Sequence, residues 1–239
     1  MPVKSLQEVN IRQKLIILCV LFAATVFSLL LAAYLREYTG TSMYMFLYWN
    51  LFLAWLPAGF ALALDWIYIR ITSHTLRWVL LGLTGITWLL FYPNSAYLIT
   101  DQLHPFARFQ MQGGIRFWYG TEFWYHLLLF FSVAVTGLLL GVYSLFSVHR
   151  LVRKSLGRLV GWGFAVLVLL LSSFGIYIGR FNRWNSWDAV RNPGSMISDL
   201  VSMFSDVEEM RRLVPFTGII FMMTALSYAA IYGFSKIRH

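Results

Sequence analysis

Six apolar runs decide what this chain can fold into: residues 15–34, 44–64, 78–100, 123–148, 159–179 and 215–234. A helix needs about 20 mainly apolar residues to cross the hydrocarbon core of a bilayer, and each run meets that length. Hydrocarbon offers no partner to an unpaired backbone amide or carbonyl, so each run must be helical. The predicted fold is therefore all-α: a polytopic helix bundle, with residues 1–239 forming a single integral membrane domain. Composition agrees, since 12% of the residues are charged, against about 25% in soluble domains.

Charge placement narrows the partners. The net charge is +9, but the 19 Lys and Arg are scattered between apolar runs and form no single basic face, which argues against nucleic acid. They read instead as orienting charges and headgroup contacts. Lys4, Arg12 and Lys14 precede the first run like the start of a signal peptide, yet 15–34 is longer than the roughly 7–15-residue core of one. The run is expected to be a retained anchor. The single cysteine, Cys19, excludes an intramolecular disulfide and a paired-cysteine zinc motif. With both termini inside, the cytoplasmic segments hold 11 Lys and Arg and the outer ones 8. The compact cluster His149, Arg150, Arg153, Lys154 and Arg158 then marks the cytoplasmic side.

That orientation has a geometric consequence. The third helix ends outward at Asp101 and His104, the fourth begins outward near Glu122 and His126, and the fifth ends outward at Arg180. Asn50 lies about two turns into the second helix from the same side, deep enough to need a polar partner. Between the fifth and sixth helices, Met196, Leu200, Met203, Phe204, Val207, Met210 and Val214 recur at helical spacing. They predict an interfacial amphipathic helix over about 195–214, opened by Pro193 and Ser195 and closed by Arg211 and Arg212. It reads as a surface-lying connector or as a lid. Gly137 and Gly141, and Gly175 and Gly179, have the four-residue spacing that lets helix backbones approach closely.

Several polar residues are candidates for chemistry. Pro93 interrupts the third helix, and Asn94 or Ser95 can satisfy the carbonyl it frees. Asp101 is harder to place, because a carboxylate at a helix C-terminus opposes the dipole and needs a cation or ligand. Asp101 and His104 are the candidate catalytic pair, as base or metal ligands. Glu122 and His126 share a helix face, although Thr121 as a cap and Glu122 in a first turn are also structurally favourable. Asp101, His104, Glu122 and His126 together make an acceptable divalent-metal set, at a spacing that matches no established motif. In GRFNRWNSWD, residues 179–188, Arg180, Arg183 and Asn185 are candidate anion contacts, with Asp188 in support and Trp184 and Trp187 as interfacial residues. The competing reading is that the arginines neutralise Asp101, Glu122 or Asp188 and tie helix ends together.

PNSAYLITDQLH and GRFNRWNSWD, with WNLFLAWLP at 49–57, resemble a bacterial family of multi-spanning inner-membrane proteins catalogued as a domain of unknown function. In that family a Pro-Asn-Ala-Pro-Tyr segment leads into Thr-Asp and a histidine, and a later Gly-Arg leads into Arg-x-Asn-Ser-Trp-Asp. The positions that match are Pro93, Asn94, Tyr97, Thr100, Asp101, His104, Gly179, Arg180, Arg183, Asn185, Ser186, Trp187 and Asp188. Ala96 stands where the pattern has a second proline, and Gly120 where an aspartate is expected. The second departure weakens any acid/base or metal scheme using that carboxylate, unless Glu122 substitutes. The resemblance implies a multi-pass protein of the bacterial cytoplasmic membrane and carries no activity with it.

Three functions fit these observations. One is a membrane enzyme or binding protein acting on an anionic lipid headgroup or envelope precursor at the outer leaflet, without a recognisable nucleophile motif around Ser186. Another is a transporter or channel, although the helix middles lack Asp, Glu, Lys, Arg and His and no repeated half is visible. The third is a non-enzymatic scaffold or assembly protein whose polar cluster ties helix ends together.

Overall fold

The computed structural model describes residues 3–109 and 117–237, with side chains over 13–109, 118–189 and 191–236. The side chains of Lys4 and Arg12 lie outside the described residues. Among those described there is no strand. The helices are α1 (Val3–Thr39), α2 (Phe46–Arg70), α3 (His74–Phe91), α4 (Pro93–Tyr97), α5 (Leu103–Arg108), α6 (Thr121–Leu156), α7 (Arg158–Tyr177), α8 (Asp188–Arg191), α9 (Pro193–Ser205) and α10 (Val207–Ile237). A 3₁₀ turn, Leu98–Gln102, joins α4 to α5, and a π turn, Ile178–Asn182, closes α7.

Six helical stretches are long and apolar enough to cross a membrane: Gln13–Thr39, Phe46–Arg70, His74–Arg108, Thr121–Leu156, Arg158–Asn182 and Val207–Lys236. Their outward side chains confirm the solvent. Ile86 is 70% exposed and Leu159 88%, an arrangement that suits hydrocarbon and would be a liability in water.

One element breaks where the sequence places Pro93, and one departs from the sequence expectation. The third span is a broken series, because Pro93 cannot donate to the α3 ladder, and the chain re-forms as short α, 3₁₀ and α pieces through Arg108. The segment expected as one amphipathic helix over 195–214 is two elements. Asp206 has an extended backbone between α9 and α10, and its Oδ1 accepts the Glu208 amide at 2.8 Å. Asp206 thereby caps α10, and Glu208 and Glu209 in its first turn complement the dipole. Arg211 and Arg212 therefore lie within α10, as does Pro215, and Arg211 pairs with Glu208 at 3.0 Å.

The chain divides into two compact units, Met1–Leu51 with Leu98–Leu139 and Phe52–Tyr97 with Leu140–His239. In the first, Ser28 and Ser132 hydroxyls share a hydrogen bond of 2.8 Å, and Tyr34, Tyr38 and Tyr125 form an aromatic cluster. In the second, a core around Trp88, Tyr92, Leu145, Val168 and Tyr228 joins α2, α3, α6, α7 and α10. A buried polar chain runs through that core: the Trp88 indole donates to Ser144 Oγ at 2.7 Å, and Ser144 donates to the Pro57 carbonyl at 2.8 Å. Met203 of α9 and Leu213 of α10 bury beside Tyr177, and the Trp184 indole donates to Asp199 at 2.9 Å, holding α9 against the turn after α7.

Candidate functional site

The first unit contains the acid and imidazole residues. Asp101 sits in the 3₁₀ turn and is 1% exposed. Asn50 of α2 donates to its Oδ2 at 2.9 Å, which answers the demand for a partner at that depth. His104 lies one turn on, with Nδ1 2.8 Å from the Asp101 carbonyl oxygen and 4.0 Å from its carboxylate. The His104 ring stacks on Phe130 at 5.3 Å and lies 4.7 Å from the Phe46 ring.

A second polar pair stands on α6. His126 is fully buried, its Nδ1 2.8 Å from the Tyr44 hydroxyl and its Nε2 3.5 Å from Glu122 Oε1. Nε2 has no hydrogen bond. Nε2 faces the Glu122 carboxylate. Arg108 Nη2 lies 3.7 Å from the same Glu122 oxygen. Burial pushes the Tyr44 hydroxyl above the usual tyrosine range, with Arg108 lowering it and Glu122 raising it. Phe130 links the two pairs, since Tyr44 packs edge-on to it at 4.8 Å while His104 stacks on it.

The proposed four-residue metal set does not assemble. Asp101 with His104 and Glu122 with His126 form two separate pairs. Among the described residues no group of three or more His, Cys, Asp or Glu is placed to hold a metal ion.

The second unit holds the other motif. Asn94 Nδ2 donates to the Phe91 carbonyl at 2.9 Å and to Ser186 Oγ at 3.1 Å, while Ser186 donates to the Leu90 carbonyl at 2.9 Å. Ser95 caps the Tyr92 carbonyl at 2.8 Å. Leu90 and Phe91 end α3 beside the Pro93 break, and the Tyr92 carbonyl also accepts the Ser95 amide at 3.3 Å, so Asn94 and Ser95 play the structural part considered from sequence. Ser186 joins them and is not poised as a nucleophile. Asp188 Oδ2 accepts the Asn185 amide at 2.7 Å, fixing the turn. Arg180 is half-buried, and Arg183 is exposed in a left-handed conformation, φ +60°.

Sequence reasoning missed Tyr44. Its φ of +62° is uncommon for a bulky residue, and such strain persists where surrounding contacts over-determine it. An aromatic residue between Met43 and Met45 at the start of an apolar run gives no sign of either its backbone or its imidazole partner. Arg108 was also unassigned, because its partner Glu122 is brought close only by folding.

The helices and their polar ends define a multi-pass α-helical membrane protein. Within that class, residues 49–226 match the family described as "Protein of unknown function (DUF1361)", and the chain belongs to that family. No curated protein and no solved structure matches it.

Proposed function

We propose that the protein binds or processes an anionic lipid headgroup or envelope precursor at the outer face of a bacterial cytoplasmic membrane, with both termini inside. The observation that supports this is the burial of Asp101 and His126, 1% and 0% exposed. Desolvating a carboxylate and an imidazole is costly, and well-packed apolar residues would serve stability at least as well. Titratable groups held in a buried cluster are candidates for function. In this reading Asp101, oriented by Asn50, or His104 acts as base, and Glu122, His126 and Tyr44 form a carboxylate–imidazole–phenol relay. Arg180, Arg183 and Asn185, on the second unit, are anion contacts in their own right.

The test uses purified protein in vesicles containing either anionic or zwitterionic phospholipid, with headgroup products and retained lipid followed by mass spectrometry. Wild type is expected to act on or retain an anionic species, and Asp101→Asn and His104→Gln to lose at least about 100-fold of that effect, the usual scale of general acid–base catalysis, while melting as wild type does. A second reading, a structural clamp, is favoured by the Asn94–Ser186 capping of helix carbonyls. It predicts the reverse: no lipid-dependent difference, and variants that melt early.

A further inference from the structure

A groove opens in the second unit where the last turns of α2 and α6 meet α3 and α7. Its volume is about 380 Å³, and its floor and walls include Leu64, Leu81, Ile86, Val152, Leu156 and Phe164. Gly82 and Gly85 also line it, and a Cβ built on either would meet no atom within 4 Å. Missing side chains thus leave a channel along α3.

Two cations adjoin its lining residues in sequence and gather over one ring. The Arg77 guanidinium lies 5.8 Å and the Lys154 ammonium 5.5 Å from the centre of the Tyr68 ring. Each precedes a lining residue, Trp78 and Ser155 respectively. Arg77 Nε is shut off from solvent with no hydrogen-bond acceptor, and among the described residues neither cation has an ion-pair partner. Asp65, the acid one turn from Tyr68, accepts the Ser147 hydroxyl at 2.7 Å. Of the other cations on α6, Arg153 donates to Tyr232 and Arg150 rests over Phe146.

We propose that this groove is a site for one anionic phospholipid, with an acyl chain along Gly82 and Gly85 and the phosphate held by Arg77 and Lys154. Lipid tails are as apolar as the groove, so hydrophobicity gives a partner helix no advantage there. The cations do discriminate, because they offer donors to an anion that a zwitterionic headgroup presents only in part. Trp78, 46% exposed in the groove lining, is the residue type that settles at headgroup level. On the topology proposed above this end faces the cytoplasmic leaflet, where anionic lipid is attracted by basic clusters. The site uses none of the residues of the acid–imidazole cluster, so either can fail without the other.

Delipidated full-length protein titrated with phosphatidylglycerol and with phosphatidylcholine, and read by native mass spectrometry, tests the proposal. Wild type should prefer phosphatidylglycerol by roughly 10- to 30-fold, as expected for two cations near a headgroup. Arg77→Gln with Lys154→Gln should remove the preference. Gly85→Leu should abolish retention of the first phosphatidylglycerol, and because leucine is the better helix former, the lipid-free protein should melt no earlier than wild type. Equal affinity of wild type for the two lipids would overturn the proposal, as would undiminished phosphatidylglycerol retention by Gly85→Leu. A Gly85→Leu protein that changes from dimer to monomer would also overturn it, by showing that a second copy fills the groove.

Discussion

Tyr44 shows how one side chain carries constraints from several directions. It adopts a strained backbone, packs on Phe130 and presents its hydroxyl to a buried imidazole. Tyr44→Phe retains the ring but leaves His126 Nδ1 buried without a partner. It should destabilise the protein by about 1–3 kcal/mol, read as a lower thermal midpoint in detergent, and an unchanged midpoint would mean that water replaces the phenol. Asp101 and Asn50 show the opposite case. The need for a polar partner was legible at both positions, since an acid at a helix end and an amide inside a span are each costly alone. Their pairing across 51 residues was not, because nothing local encodes which polar group meets which.

At the scale of elements, the break after α3 organises the second unit. Pro93 ends the ladder, and the side chains of Asn94, Ser95 and Ser186 take over the exposed carbonyls. Neighbouring helices approach this broken segment through glycine. A Cβ on Gly175 would lie 3.0 Å from Pro93 Cγ, and one on Gly179 would lie 3.3 Å from the Tyr97 ring. The proline ring cannot rotate away, so Gly175→Ala should cost about 1–3 kcal/mol by overpacking. Gly163→Ala on the same helix meets no atom within 4 Å and should be neutral or slightly stabilising. Adding Pro93→Ala should recover part of the Gly175→Ala loss in a double-mutant cycle, and strict additivity in that cycle would show that the two residues do not press on each other. The glycine spacing was visible in the sequence, but the surfaces that use it were not. The division between α9 and α10 was legible in principle: Asp206 followed by Glu208 and Glu209 is a capping pattern, masked by apolar residues that keep helical spacing across it.

For the whole molecule, orientation is the property to test, because it decides which leaflet each polar feature meets. In a Cys19→Ser background, Gly113→Cys should react with an impermeant maleimide added outside intact cells, and Arg158→Cys should react only after lysis. The reverse pattern would invert the topology. Gly113 lies outside the described residues, but its place in the segment joining the third and fourth spans makes it the natural reporter. The lipid-groove titration and the vesicle assay extend the same question to the two polar regions separately.

The sequence alone determined the solvent and the element type. Runs of about 20 apolar residues must span a bilayer as helices, since a backbone in hydrocarbon has only itself to bond. It also named the polar residues, which stand out against an apolar background. Only the tertiary structure decided what those residues do: that Glu122 and His126 pair with Arg108 and Tyr44 and do not join Asp101 and His104 around a metal, and that Asn94 and Ser186 satisfy backbone carbonyls. Local composition sets the cost of leaving a polar group unpaired, whereas the choice of partner depends on which distant helix ends the packing of small and large side chains brings within hydrogen-bond reach.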